Sequence, residues 1–111
     1  MRTAAIVLAL LAATPAQAEF YDGNRLLQRM NGDAMDQMSA LSYVAGVWDS
    51  MMGVMICPPP NVMLNQVRDM TKALLVDHPE YRHQGADRFV IAAGAKTFPC
   101  PKSAPNSPKI F

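Results

Sequence analysis

The amino-acid sequence predicts a small all-α protein, a bundle of about four helices with a long central helix, stabilised by one disulfide. Apolar residues recur at spacings of three and four, and no segment shows the alternation that is typical of a strand. Clusters of Gly, Asn, Asp and Pro divide the chain into pieces of helix length. The chain has two cysteines, and each is followed by a proline at a boundary between pieces.

The first 18 residues are predicted to be a secretory signal peptide. Arg2 precedes an uninterrupted apolar run over residues 4–13, and Ala16-Gln17-Ala18 forms a cleavage motif of the A-x-A type. The apolar run is too short to span a bilayer. We therefore expect cleavage after Ala18 and export of the mature chain to an oxidising compartment.

The mature chain is expected to be a single neutral domain with a tail. Of the 10 Lys and Arg residues in the full chain, cleavage removes Arg2, and the rest balance the 9 Asp and Glu residues. A neutral chain without a basic patch argues against a nucleic-acid partner, because such binding depends on neutralising phosphates. Residues 19–100 suffice for one helical domain. Residues 101–111, rich in proline and serine, are predicted to be a disordered tail.

A short first helix is predicted over residues 24–30, after the turn signal Asp22-Gly23-Asn24. The sequence Asn31-Gly32-Asp33 then interrupts the helical pattern, and Asp33 is expected to cap the next helix.

The second helix, predicted over residues 34–56, is apolar on most of its circumference. We therefore expect it to be the central helix, wrapped by the others or buried in a dimer. A line of small residues that includes Gly46 would let another backbone approach closely. Asp49 is a lone charge in the apolar part, expected to meet a helix-end amide, a tyrosine or solvent. Asp49, Gln37 and several serines argue against a stable membrane span.

Two further helices are predicted after the first cysteine. The prolines at 58–60 cannot lie inside a helix, and Asn61 is predicted to cap a third helix over about 62–77. Its predicted inner line is Met63, Val67, Met70 and Leu74. Pro79 suits the first turn of a fourth helix that extends to about residue 97. The predicted inner face of that helix is Ala86, Phe89, Val90 and Ala93.

Cys57 and Cys100 are expected to form an intramolecular disulfide. An exported chain with two cysteines has one possible intramolecular pairing, and both cysteines lie at proline-marked boundaries. Such a bridge would add roughly 4 kcal/mol to the free energy of unfolding in the chain-entropy model. Two free thiols and an intermolecular bridge are the alternatives.

The sequence contains no motif that indicates an enzyme, a cofactor or a zinc site. The histidines His78 and His83 lie near no cysteine and near no G-x-S-x-G motif, and no C-x-x-C spacing occurs. Two M-x-x-M pairs, at 35/38 and at 52/55, would place thioethers on one helix face, as a copper(I) site requires. Methionines that fill the core at helical spacing are the favoured interpretation.

Two segments are candidates for binding a protein partner. Tyr81, Arg82 and His83 follow Pro79 and Glu80, and Tyr and Arg are enriched among interface anchors. The segment with Pro59 and Asn61 would be a preorganised recognition edge if a disulfide holds it. A solvated helix start and a simple connector are the respective alternatives.

An ordered set of short motifs resembles the Rap/Tai family, the periplasmic immunity proteins for peptidoglycan-amidase toxins of type VI secretion. The motifs, in chain order, are the residues 20–27, Tyr43-x-x-Gly46-Val47-x-Asp49, Cys57-Pro58, Gln66-Val67, Asp77-His78-Pro79-Glu80 and Phe98-Pro99-Cys100. The resemblance covers nearly the whole mature chain. It implies a small, disulfide-bonded helical domain, often dimeric, that binds the toxin and covers its active-site cleft.

The residues that match family positions have structural roles in the family. Cys57 and Cys100 match the family's bridge, Gly46 and Asp49 fall in its central helix, and Gly23 with Asn24 fall at its N-terminal cap. The sequence departs from the family in two places. Many members have a second cysteine pair, for which this chain has no cysteines, and a Thr or Ser commonly opens the third helix where this chain has Met63.

The first hypothesis is therefore a non-catalytic periplasmic protein, with no cofactor, that neutralises an amidase toxin. A periplasmic chaperone or stress protein with an apolar, methionine-rich interface is the alternative, and a copper(I)-binding protein is a third. A homodimer is compatible with each.

Overall fold

A computed structural model describes residues 20–101, which fold into a bundle of four α-helices. The helices are α1 (Gly23–Met30), α2 (Ala34–Met51), α3 (Leu64–Asp77) and α4 (Ala86–Thr97), with a 3-10 turn (Pro79–Tyr81) between α3 and α4. Each helix contacts the other three, and the described residues contain no strand. The predicted all-α class is confirmed. The predicted signal peptide and residues 102–111 of the predicted tail lie outside the described residues.

The first helix begins within the predicted turn signal, at Gly23, and the second begins after its predicted cap, Asp33. Asp22 accepts a hydrogen bond from the Arg25 amide at 2.7 Å, and Asp33 accepts one from the Asp36 amide at 2.8 Å. Each carboxylate accepts a hydrogen bond from an amide that has no partner within the helix. Its negative charge also interacts favourably with the positive end of the helix dipole.

Helix α2 ends at Met51, which is earlier than the predicted end at residue 56. Gly53 adopts a φ of +78°, a left-handed conformation that cannot continue a helix. The chain then turns, and the Ile56 amide donates to the Met51 carbonyl at 3.2 Å. The turn places Ile56 in the core, fully buried.

Helix α2 is the longest helix and contacts the other three, but they do not wrap it, and its burial in a dimer stays a prediction. Its buried residues are only Ala40, Val44 and Trp48, and Met38 is 65% exposed. Helix α4 is the more enclosed helix, with six of its twelve residues buried: Ala86, Phe89, Val90, Ala92, Ala93 and Gly94. Small residues allow this enclosure, since a Cβ added at Gly94 would clash with Ile56 and lie 2.8 Å from Trp48.

Helix α3 begins later than predicted and is rotated relative to its predicted inner line. Met63, not Asn61, occupies the N-cap position, and its side chain makes no capping hydrogen bond. The buried residues are Val67, Thr71 and Leu75. The Thr71 hydroxyl donates to the Val67 carbonyl at 2.9 Å, which satisfies the polar group inside the core.

Helix α4 begins at Ala86 and not at Pro79. The residues between the 3-10 turn and α4 leave helical geometry because their backbone groups bond to the start of the chain. The amides of Gly23 and Asn24 donate to the carbonyls of Gln84 and Arg82, each at 3.0 Å, and the Ala86 amide donates to the Tyr21 carbonyl at 2.9 Å. The predicted inner face is confirmed, since Ala86, Phe89, Val90 and Ala93 are all buried.

The disulfide joins Cys57 to Cys100, as predicted, with the two Cα atoms 4.9 Å apart. It links the segment after α2 to the end of α4, across a sequence separation of 43. The Cys57 amide donates to the Phe98 carbonyl at 2.8 Å beside it. The Phe98 ring contacts Trp48 edge-on, with centroids 6.2 Å apart, so the bridge lies directly over the core.

Candidate partner-binding surface

The residues predicted to bind a partner lie at opposite ends of α4. Pro59 and Asn61 follow Cys57, which is bonded to Cys100 just beyond the C-terminus of α4. Tyr81, Arg82 and His83 precede its N-terminus. A helix of 12 residues is about 18 Å long, so the structure does not bring the two groups together. We call the two regions the disulfide end (residues 52–64 and 97–101) and the turn end (residues 20–25 and 78–85).

The turn end is mostly polar and charged, with one exposed large apolar side chain, Phe20 (90%). His78 Nδ1 lies 3.1 Å from Glu80 Oε1, and a backbone hydrogen bond together with His78 lowers the pKa of Glu80. His83 is exposed and lines a shallow polar hollow with Asp22 and Arg25.

Tyr81 and Arg82 contribute more to the structure than to this surface. Tyr81 is half-buried against the core, and its ring centroid lies 5.9 Å from that of His78. The Arg82 carbonyl accepts the Asn24 amide, and its Nε is buried with no hydrogen-bond partner among the described residues. Gly23 permits this close approach, because a Cβ there would lie 3.0 Å from the Arg82 backbone and 2.9 Å from the Phe89 ring.

The disulfide end is apolar and carries no charge over a long stretch. Residues 50–67 contain no Asp, Glu, Lys, Arg or His. Four large apolar side chains are exposed there: Met52 (49%), Val54 (66%), Met63 (67%) and Leu64 (39%). A concentration of exposed apolar side chains without charges is typical of a surface that binds another protein.

A groove of about 320 Å³ opens beside these side chains, between α2 and α3. Its lining consists of Ala45, Trp48, Asp49, Met52, Val62, Leu64 and Val67. Asp49 is the one charged residue in this lining, and it is exposed. The groove can therefore accept an apolar side chain next to a cation.

The backbone around the groove is held in place. The disulfide fixes Cys57, and residues 58–60 are prolines with restricted φ. The left-handed Gly53 donates its amide to the Ile56 carbonyl at 2.9 Å. A surface that is already rigid loses little conformational entropy when a partner binds.

The line of small residues on α2 is not covered by another helix of the described chain. Nothing lies within 4 Å of a Cβ built on Gly46, and Asp49 is exposed. The Ser42 and Ser50 hydroxyls donate to carbonyls of their own helix, at 2.9 and 2.7 Å. Among residues 20–101, no second backbone approaches Gly46 closely, and the homodimer stays a prediction.

The methionine pairs and the possible metal ligands are the remaining candidates from the sequence. They contain no group of three His, Cys, Asp or Glu side chains that could hold a metal ion. Met35 and Met38 are exposed on one face of α2, whereas Met52 is exposed and Met55 half-buried beyond its end. Within residues 20–101, no helix combines the length and hydropathy needed to cross a bilayer. The arrangement is suited to binding a surface.

For three of the four exposed apolar residues, the sequence pattern predicts a place inside a helix or in the core. Met52 and Val54 were placed inside a long helix, and Met63 on the buried line of α3. Two signals indicate their exposure: Gly53 interrupts the apolar run, and the run continues without a charge past three prolines. A segment that cannot be helical yet carries no charge is either buried or a binding surface.

Comparison with known proteins identifies one family. The profile of the Rap1a immunity proteins matches residues 22–100, which includes all four helices and both cysteines. Comparisons with curated proteins and with solved structures gave no match. The match covers more than half of the chain and agrees with the disulfide-bonded helical fold. The chain therefore belongs to the family of Rap1a immunity proteins.

Proposed function

We propose that this protein is a periplasmic immunity protein that binds a peptidoglycan-amidase toxin of type VI secretion and covers its active-site cleft. The family match over residues 22–100 is the observation that carries the proposal. The geometry supports it, because a rigid bundle with an exposed, uncharged apolar end can seal a cleft without catalysing a reaction.

The periplasm is the compartment that fits this action. Residues 1–18 have the composition of a signal peptide, and the Cys57–Cys100 disulfide is stable in an oxidising compartment. The substrate of a cell-wall amidase lies in the same compartment. Mass spectrometry of the protein from a periplasmic extract should give a mature chain that begins at Glu19, with both cysteines oxidised.

An inhibition assay tests the function directly. The mature chain would be mixed with each peptidoglycan amidase encoded in the genome of its source, beginning with any encoded beside its own gene. We expect at least one amidase to bind with nanomolar affinity and to lose its activity on purified peptidoglycan. Binding to none of them, with amidase activity unchanged at a molar excess of the chain, would refute the proposal.

The exposed apolar side chains of the disulfide end also favour a second candidate, a periplasmic chaperone. Met52 and Met63 present flexible, polarizable side chains, which adapt to varied apolar surfaces. A chaperone would protect unfolded client proteins from aggregation at low pH, whereas an immunity protein would bind a folded amidase. Light scattering of acid-treated client proteins, with and without the chain, distinguishes the two.

A further inference from the structure

We propose that the disulfide end is the surface that contacts the toxin, and that its groove accepts an apolar side chain of the toxin with a Lys or Arg beside it, facing Asp49. This inference rests on the function proposed above, because that function supplies the partner, the amidase toxin. The turn end, with Tyr81, Arg82 and His83, then lies outside the contact.

The shape and the low polarity of the surface indicate that the partner contacts it with an apolar side chain. The groove is bounded by Trp48, Val62 and Leu64, and exposed Val54 and Met63 lie beside it in sequence. Interface centres are depleted of charge and enriched in methionine and aromatic residues. Residues 50–67 carry four methionines and no charge, and Trp48 lines the groove beside them, whereas the turn end carries several charged residues.

The charge of Asp49 indicates that the partner places a cation, a Lys or Arg side chain, beside the groove. Asp49 lines the groove, is exposed, and makes no ion pair with a described residue. An apolar partner alone would leave this carboxylate desolvated without compensation when the groove closes. A guanidinium or ammonium on the partner would pair with it and would steer the approach.

Met63 provides independent support for a binding role. It occupies the N-cap of α3, where Ser, Thr, Asp or Asn would accept an amide hydrogen bond, and it makes none. Its side chain is 67% exposed, so packing inside the chain does not explain its presence. A residue that weakens a helix start and gains no burial within the chain is explained by contact with a partner.

Matched substitutions test the surface with the amidase that the wild-type chain inhibits. Val54→Asp should weaken amidase binding about tenfold or more, whereas Val76→Asp, at a valine of similar exposure on α3, should change it less than about threefold. Asp49→Lys should weaken binding by a similar factor, and Asp49→Asn should reduce the dependence of the association rate on salt.

Met63→Asp separates binding from folding. It should raise the denaturation midpoint, because Asp caps α3, and at the same time weaken amidase binding about tenfold. A more stable protein that binds less tightly cannot be explained by misfolding. If Val54→Asp and Met63→Asp both bind like the wild type, the toxin does not contact this end and the inference is overturned, although the proposed function stands.

A photo-crosslinking residue identifies the occupant of the surface. Benzoylphenylalanine at position 54 should crosslink to the amidase, and the same residue at position 76 should not. A crosslink from position 54 to a second copy, or to the residues after Pro101 of the same chain, in the presence of saturating amidase would overturn the inference. If the wild-type chain binds no amidase at all, the proposed function fails first.

Discussion

The two ends of α4 are held by different means, and their surfaces differ accordingly. At the turn end, backbone hydrogen bonds join residues 21–24 to residues 82–86, and charged side chains surround them. At the disulfide end, a covalent bridge and three prolines fix the chain, and the neighbouring side chains are uncharged and exposed. Covalent support lets a segment remain ordered while its apolar side chains face outward, where they can meet a partner.

Removal of the bridge should have the largest effect on stability. The Cys57→Ser/Cys100→Ser variant should lose about 4 kcal/mol of unfolding free energy, because the unfolded chain regains the entropy of a long loop. Urea denaturation followed by circular dichroism measures the loss. The wild-type chain with a reductant is the control, and a loss below about 1 kcal/mol would show that prolines and packing hold this end without the bridge.

A pair of glycine substitutions compares the packing of the two ends. Gly23→Ala should lower the unfolding free energy by about 2 kcal/mol, because the Cβ of the alanine would meet the Arg82 backbone. That backbone cannot move without breaking its hydrogen bonds to α1. Gly94→Ala should cost less, about 1 kcal/mol, because Ile56 and Trp48 are side chains that can shift and alanine favours the helix. Thermal denaturation measures both, and a larger loss for Gly94→Ala would reverse the comparison.

A better cap should stabilise the disulfide end. Met63→Ser should raise the unfolding free energy by about 1 kcal/mol, since Ser can accept an amide hydrogen bond at the start of α3. Met38→Ser is the matched control, because Met38 has similar exposure but lies within α2. That control should lose a few tenths of a kcal/mol, as expected from helix propensity. A destabilised Met63→Ser variant would mean that the methionine packs within the chain.

The smallest expected effect is the pH dependence of the turn end. The pKa of Glu80 lies below its ordinary value of 4.5 because a backbone hydrogen bond and His78 favour the ionised form. Ionised Glu80 therefore stabilises the fold at neutral pH, and this contribution disappears as the pH falls below about 4.5 through the folded pKa. Glu80→Gln should flatten the stability curve slightly over this range. Parallel curves for the two proteins would show that the contact has no effect.

The sequence was sufficient to predict the helical class, the turn signal before α1, the cap at Asp33 and the disulfide. The class, the turn signal and the cap depend on local chemistry, and two cysteines allow only one intramolecular pairing. The family resemblance, stated from scattered motifs, is confirmed by the profile match.

Features that depend on three-dimensional context were not predicted. Apolar composition pointed to α2 as the central helix, but burial depends on which faces other helices cover, and α4 with its small residues is the enclosed one. The break before Ala86 arises from backbone bonds to α1, which no local pattern reveals. Met63 is exposed and lies before the first turn of α3 in extended backbone, so the helical spacing that predicted its burial does not apply to it.

The backbone bonds at the turn end also have a consequence for the order of folding. Tyr21 and Gly23 lie at the beginning of the described chain, and their partners Ala86 and Gln84 belong to its last quarter. Contacts so distant in sequence close slowly, because the intervening chain must first be ordered. The backbone bonds between residues 21–24 and 82–86 therefore cannot form until the start of α4 has emerged from the ribosome or the translocation pore, and only then is the bundle complete.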